Sequence, residues 1–438
     1  MKIYGRHDER TIDQLRRCIA AEPGATGVLC ADGHLGYSMP IGGVVAYREH
    51  VSPSGVGFDI ACGNLAVQTA IAAADLTERD FSRLADEIQR RVSFGVGRHN
   101  KEPIDHPVFG RIAKSPAVFQ RSLLGLARDQ LGTVGSGNHY VDLLEDTGGR
   151  LWVGVHFGSR GFGHRTATAF LNLARGREWN ARGADDSMDA PPTLLPIAQP
   201  TGQDYIEAMA IAGDYAYAGR EAVVATILNI LQTEAADSVH NHHNFAWRER
   251  HRGEEYWVVR KGATPAFPGQ RGFVGGSMAD DSVILRGVEG SDSAAALYST
   301  VHGAGRVMSR RQAAGKARYV KKWCCRNYRH CNFQGERERF EQSSDAPAPL
   351  CPKCGHTLEL RRWMERVSAG FVNFTAVKRD IAGRGIVLRG GGADEAPQVY
   401  RRLRDVLACH ERTIKVEEIL TPRVVVMAGS DVDDPYQD

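Results

Sequence analysis

The sequence is punctuated by segments in which a short apolar run stops at a polar, glycine-bearing loop and then resumes or gives way to another loop. VLCADGHLGYSMPIGGVVAY, VSPSGVGFDIACGNLAV, GTVGSGNHYVDLL and LWVGVHFGSRGFGH all share this design. Apolar runs of this length, bounded by turn residues, read as strands, and loops on strand ends are where scaffolds hold reactive side chains. Helical periodicity is scattered between the runs. It places Ile12, Leu15 and Ile19 on one face in residues 1–23, and Phe81, Leu84, Ala85 and Ile88 on one face in residues 76–92, where Thr77 and Asp80 form a capping-box start. Residues 204–237 read as mostly helical, with Gly213 and Gly219 as weak points, and residues 396–412 as a helix. Residues 178–203 read as a long surface loop and the tail SDVDDPYQD as frayed. Short mixed strands with interspersed helices predict an α+β fold with mixed or antiparallel sheets, not a regular βαβ array.

Bulk numbers narrow the function classes. The net charge is +3, from 55 basic and 52 acidic residues, so any nucleic-acid contact must come from local patches. No run approaches the length needed to cross a bilayer, and MKIYGRHDERTIDQL is too polar for a signal peptide, which predicts a cytoplasmic protein without membrane contact. Five of the nine cysteines fall between residues 324 and 354, a clustering that fits metal binding in a reducing compartment better than a disulfide framework.

The chemistry-bearing residues gather in the glycine loops. In HGAGR, Gly303 and Gly305 permit close backbone approach to an anion, and residues 307–316 have helical composition, so the glycines are expected at a helix N-terminus. His302 beside such a cradle is placed to attack phosphorus, and Arg306 to neutralise the charge that develops. Taken alone, the stretch also reads as a glycine-rich turn with an incidental histidine. Asp59 and Cys62 lie three residues apart in FDIACG. The imidazoles available to join them are His139 in GSGNHY, His156 in VGVHFGSRG, and His240, His242 and His243 in DSVHNHHNF. Carboxylate, thiolate and imidazole are ligand types for a first-row transition metal, and one thiolate, one carboxylate and three imidazoles suffice for two ions bridged by sulfur.

In this order, FDIACG, GSGNH, HFGSRG, HHN, RKGAT, GSM and HGAGR, with ADGHLGYSMPIGGV before them and DEAPQVY after, the motifs resemble those of the RtcB-type RNA ligases. The resemblance runs from about residue 30 to the end of the chain and is interrupted by a cysteine-rich insert. It implies ligation of RNA 3′-phosphate or 2′,3′-cyclic phosphate ends to 5′-hydroxyl ends, in tRNA splicing or RNA repair, with GTP and two Mn²⁺ ions. His302 would be the guanylylated nucleophile. Asp59, Cys62 (bridging), His139, His156 and His243 would be metal ligands; His243 is taken because it precedes Asn244 in the family's His-Asn pair. Asn138, Arg160, Asn244 and Arg310 match positions facing phosphates, and Asn138 also borders the nucleotide. Ser277, Ser282, Gly303, Ala304, Gly305, Arg306 and Tyr400 match positions around the nucleotide. Asp32 and His34 match the opening motif near the RNA ends. The implied partners are broken structured RNA and an archease-like activator, with the protein itself a monomer. Two departures touch the guanine pocket: Ala279 and Asp280 follow Gly-Ser-Met where the family has glycine and threonine, and Ala428 stands where a C-terminal lysine is usual. The alternative implied by these departures is a metal-dependent RNA phosphoesterase that has lost guanylylation.

Residues 323–361 differ in composition and read as a zinc-ribbon-like module inserted into a single catalytic domain of residues 1–322 and 362–438. Cys351 and Cys354 have the two-residue spacing of a zinc knuckle. Upstream, Cys324, Cys325, His330 and Cys331 leave the other ligands ambiguous, and Cys325 with Cys331 are taken as the pair completing a structural Zn²⁺ site. Lys316, Arg318, Lys321, Lys322, Arg361 and Arg362 flank the module and suit RNA or a solvated surface equally.

Overall fold

In the computed structural model, residues 1–181, 187–327, 330–336 and 348–429 are described; the tail read as frayed and parts of the 178–203 loop and of the insert lie outside them. The expected α+β architecture is present. Its larger sheet runs, edge to edge, through Ala235–His242, Gly63–Ala72, Arg150–Phe157, Tyr140–Asp146, Ile414–Gly429, Ser282–Gly287 and Arg271–Val274, with Val387–Gly391 lying parallel against Ile414–Gly429. A second sheet orders Lys2–Ile3, Thr26–His34, Ile41–Tyr47, Glu254–Lys261 and Asn244–His251. Only His243 separates Ala235–His242 from Asn244–His251, so one residue carries the chain from one sheet to the other. Among the described residues, no helix is long and apolar enough to cross a membrane.

The helices read from periodicity form where their apolar stripes meet the sheets. Glu9–Ala20 is capped by Asp8, and Glu78–Arg91 has the capping box of Thr77 and Asp80. Burying Phe81, Leu84, Ala85 and Ile88 from the second helix contributes roughly 1.5–3 kcal/mol per large side chain. Pro200–Leu231 begins four residues earlier than expected, with proline in its first turn, and stops at Gln232 in a left-handed conformation (φ 55°). Its predicted last turn is instead strand, because residues 235–242 pair with Gly63–Ala72. Gly213 and Gly219 do not break this helix; they let Phe245 and Phe157 pack against its backbone.

Three expectations are corrected. The helix after HGAGR spans only Arg310–Ala314, capped by Ser309, so Gly303 and Gly305 do not sit at a helix N-terminus. The preceding residues are tied sideways: the amides of His302 and Gly303 donate to Asp32, and Val307 donates to the Val399 carbonyl. Residues 396–412 contain one 3₁₀ turn, Pro397–Val399, and the short helix Leu403–Ala408; between them Tyr400 forms a bridge with Arg306, and Arg401 N–H donates to the Gly305 carbonyl, which holds the chain extended. After the insert the chain forms the helix Phe374–Gly383, capped by Asn373. Part of the loop at 178–203 also pairs, through Leu195–Pro196 against His50–Val51.

The cysteine-rich segment is carried by a two-stranded antiparallel arm, Gly315–Cys325 against Leu358–Ala369, with Gln334–Glu336 added near its tip.

Candidate active site

Sheet register assembles the site. Asn64 and Tyr140 both lie opposite His156, and Gly63 lies opposite both Phe157 and His242. Cys62 immediately precedes the first of these strands and His139 immediately precedes Tyr140–Asp146. The packing at Gly63 is so close that a Cβ would collide with the Asn241 carbonyl, which makes glycine a requirement of this junction. His243 donates its amide to the Cys62 carbonyl at 2.9 Å, locking the crossover to the Cys62 loop.

All five expected ligand-type residues converge. Cys62 Sγ lies 3.7 Å from both His139 Nε2 and His156 Nε2, and His139 Nε2 is 3.1 Å from Asp59 Oδ2. The His243 ring stacks on His156 at 5.3 Å and lies 4.9 Å from the His302 ring. Nδ1 of His156 is bonded to Asn64 Oδ1 at 2.7 Å, which turns the Nε2 lone pair towards Cys62. Burial holds His156 and His243 well below the usual imidazole range, so both are neutral donors. Although burial opposes charge on Asp59, its bond to His139, the His139 charge and Arg160 hold it at about 2. Nδ1 of His139 and Nδ1 of His243 are buried without a hydrogen-bond partner. One sulfur and two imidazoles whose ligand atoms lie within 4.8 Å of one another, beside an ionised carboxylate, are a donor set that suits a transition-metal ion. His240 and His242 are not in this group: His240 bonds Arg220 Nε, and His242 packs against Phe245 and Trp247.

His302 stands at the same wall of a cavity of about 1190 Å³. Its Nδ1 and backbone amide both meet Asp32 Oδ2, at 2.6 and 2.9 Å. Burial opposes ionisation of Asp32, but the His302 ring and its hydrogen bonds keep the carboxyl below its usual range. The anion that the HGAGR backbone holds is therefore Asp32 of the chain itself. Gly305 (φ 77°) is required for that contact, because a Cβ there would strike the Asp32 backbone. His34 lines the cavity, with burial lowering it to about 4.

The remaining sequence candidates divide. Asn138, Arg160, Asn244, Ser277, Gly303, Ala304, Gly305, Arg306, Arg310 and Tyr400 line the cavity. Asn244 uses both ends of its amide internally, donating to the Asp59 carbonyl and accepting from Gly262 N–H. Arg306 bonds Glu395, the Tyr400 hydroxyl and the Asp394 carbonyl, and lies over the Tyr400 ring. Ser282 is buried behind the wall, where its hydroxyl accepts from Gly276 N–H. Ser277 donates to Asp280, one of the departing residues, at 2.8 Å.

Three residues of the site escaped the sequence reading. Arg220 is fully buried, donates to the carbonyls of Ala61 (2.9 Å) and Phe157 (2.7 Å), and so ties together the neighbours of Cys62 and His156. A lone arginine on the apolar face of a long helix was the available signal. Lys261 lines the cavity while buried, its ammonium bonded to the Tyr37 and Ser54 carbonyls and lowered by burial to about 8. Asp142 lines the cavity with an unpartnered Oδ1, and burial raises its carboxyl well above the usual range.

Comparison with known proteins gives the family. The family model for the tRNA-splicing ligase RtcB matches residues 16–120 and 108–346. The chain is 34% identical over 311 residues to the RNA-splicing ligase RtcB of Escherichia coli strain K12, covering 64% of this chain and 74% of that protein. It is 30% identical over 363 residues to the tRNA-splicing ligase RtcB of Pyrobaculum aerophilum (65% and 74% covered), and 30% over 387 residues to that of Thermococcus kodakarensis (71% and 79% covered). With the match spanning most of the chain and the conjunction of imidazoles, Cys62 and His302 at one cavity wall, the chain belongs to the tRNA-splicing ligase RtcB family.

Proposed function

We propose that the protein joins RNA ends bearing a 3′-phosphate or 2′,3′-cyclic phosphate to ends bearing a 5′-hydroxyl, using GTP and Mn²⁺ through a guanylylated His302. The observation that carries this reading is His302 itself: its Nδ1 is engaged by Asp32, and its ring lies 4.9 Å from that of His243 on the cavity wall. With Nδ1–H donating to an ionised carboxylate, the lone pair resides on Nε2, the tautomer a nucleophile needs. Nε2 attacks the α-phosphorus of GTP, the P–N bond forms, and the bond to the β-phosphate oxygen breaks to release pyrophosphate. A 2′,3′-cyclic end is first opened by water, which breaks the bond from phosphorus to O2′ and leaves a 3′-phosphate; a 3′-phosphate oxygen then takes GMP from Nε2, and a 5′-hydroxyl displaces GMP as the phosphodiester forms.

Asp59, Cys62, His139, His156 and His243 would hold manganese, which when bound supplies Lewis-acid stabilisation of phosphoryl oxygens. Arg160 and Arg310 border the path of the phosphates, and Asn138 the nucleotide. Arg306 acts through Glu395 and Tyr400, shaping the wall instead of meeting substrate directly. Asp142 supplies a buried acceptor to a guanine N–H, a recognition group independent of Ala279, Asp280 and Ala428. The Ser277–Asp280 bond favours the second reading, a metal-dependent RNA phosphoesterase without guanylylation, because it occupies a hydroxyl on the nucleotide side.

Incubation with α-labelled GTP and Mn²⁺, followed by denaturation, distinguishes the two. Ligase chemistry gives acid-labile, alkali-stable label on the protein that is absent from His302→Ala. Label retained in that variant overturns the nucleophile. An unlabelled wild type that still opens cyclic phosphates establishes the phosphoesterase.

A further inference from the structure

We propose that Cys325, Cys331, Cys351 and Cys354 form a Zn²⁺ tetrathiolate site at the tip of the arm, separate from the cavity and serving to fold that tip. Their four sulfurs all lie within 4.8 Å of one another, with Cys325 Sγ 3.4 Å from Cys354 Sγ and Cys331 Sγ 3.6 Å from Cys351 Sγ. A tetrahedral zinc with Zn–S bonds of about 2.3 Å has sulfur–sulfur edges of about 3.8 Å. A disulfide would bring one pair to about 2.05 Å and would not gather four sulfurs. None of these cysteines lines the cavity. Cys324, adjacent in sequence, turns away and bonds the Lys322 carbonyl, which resolves which of the neighbouring cysteines belongs to the group.

The backbone around the sulfurs is shaped to present them. Gly355 N–H donates to the Cys351 carbonyl at 2.8 Å and Cys351 N–H to the His356 carbonyl at 2.7 Å, closing a turn that needs Gly355 at φ 73°. On the other side, Cys331 N–H donates to the Asn327 carbonyl at 2.8 Å. Among the described residues, the apolar cluster at the tip comprises Cys325, Cys351 and Leu358 buried, with Trp323, Cys331 and Phe333 packed on them. A cluster of this size offers little burial against the entropy of ordering the tip, and metal–thiolate bonds supply folding energy of the kind that small domains use. Four thiolates without imidazole or an open position describe a structural site, not a catalytic one.

The test measures metal in the full chain. Purified wild type is expected to hold one zinc per chain beyond any ion in the cavity, released by a mercurial thiol reagent. Cys351→Ser/Cys354→Ser should lose that equivalent and become cleavable within residues 315–369 by limited proteolysis, while still accepting label from GTP. Cys324→Ser should keep it, Cys354→His should keep it as a three-thiolate site, and Cys62→Ala should keep it while altering the cavity. Absence of the zinc equivalent from wild type, its persistence in the double serine variant, iron in its place, or two disulfides by mass would each overturn the proposal. The GTP labelling is read separately, so failure here leaves the cavity's function standing.

Discussion

The ring Nδ1–H and the backbone N–H of His302 both donate to the same oxygen of Asp32, at 2.6 and 2.9 Å, across 270 residues of sequence. One carboxylate thus sets both the tautomer and the position of the ring. Asp32→Asn preserves the shape but replaces the charged acceptor by an amide that can also donate. Formation of the histidine–GMP adduct in a single turnover is expected to slow by about 100-fold or more, with much less change in GTP binding. Because the Asp32 pKa is depressed, the ionised bond persists at every pH above the usual carboxylate range and is lost only below it. An acid limb of wild-type labelling near neutrality would therefore report another group. Equal rates for wild type and Asp32→Asn would remove Asp32 from the mechanism.

Arg220 makes a second test of positioning. Its guanidinium bridges the carbonyls of Ala61 and Phe157, one residue away from Cys62 and His156. Arg220→Met removes both bonds and a buried cation beside anionic ligand types. The concentration of Mn²⁺ giving half-maximal labelling is expected to rise about 10- to 100-fold. A lower thermal stability with unchanged Mn²⁺ dependence would make the residue purely structural.

What could be read from the sequence was whatever depended on local spacing and residue type. The strand-end loops placed Cys62, His139 and His156, and the periodicity of Phe81, Leu84, Ala85 and Ile88 placed a helix correctly. Long-range pairing could not be read. The HGAGR glycines look locally like a phosphate cradle before a helix, yet their approach is made to Asp32 on Thr26–His34, a strand of the second sheet. Arg306 looks like a free cation, but Glu395 and Tyr400 claim it from nearly a hundred residues away. The helix expected over residues 396–412 has favourable composition, but the bridge between Arg306 and Tyr400 and the bond from Arg401 N–H to the Gly305 carbonyl hold its first part irregular.

The second sheet contains a polar cluster whose contribution has a defined pH sign. Arg260 is fully buried and pairs with Glu249, which also bonds His251 at 2.8 Å. Glu249→Gln leaves the guanidinium buried without its counter-charge, and a cost of about 3–5 kcal/mol is expected. Burial opposes the charge on Glu249, but Arg260 and His251 keep its pKa below the ordinary value of 4.5. The contribution is therefore present in full above 4.5 and disappears as pH falls through the lower folded value. Denaturant melts should show the gap between wild type and Glu249→Gln narrowing on that acid side and constant above it. A gap that widened with acid would contradict the assignment.

Charge is distributed unevenly between the arm and the rest of the chain. Residues 315–369 hold 12 basic and 6 acidic residues, a net +6, whereas the remainder holds 43 basic and 46 acidic, a net −3. Lys316 and Lys321 are exposed along one strand of the arm; Arg326 and Arg361 are exposed too, but both pair with Glu359. Side chains of Arg318 and Arg362 lie outside those described. If RNA is the substrate, the arm is the region where its phosphates gain most from counterion release. Lys316→Glu/Lys321→Glu should weaken RNA binding at low salt and flatten the dependence of log affinity on log salt by about 1.4, about 0.7 for each single-strand phosphate contact removed. Histidine–GMP formation, which needs no RNA, should be unchanged. Ligation of a substrate too short to reach the arm should also be unchanged, whereas ligation of a longer one should fall at low salt and converge with wild type as salt rises. An unaltered salt slope would mean that these lysines are a solvated face and that RNA is held by the cavity rim alone.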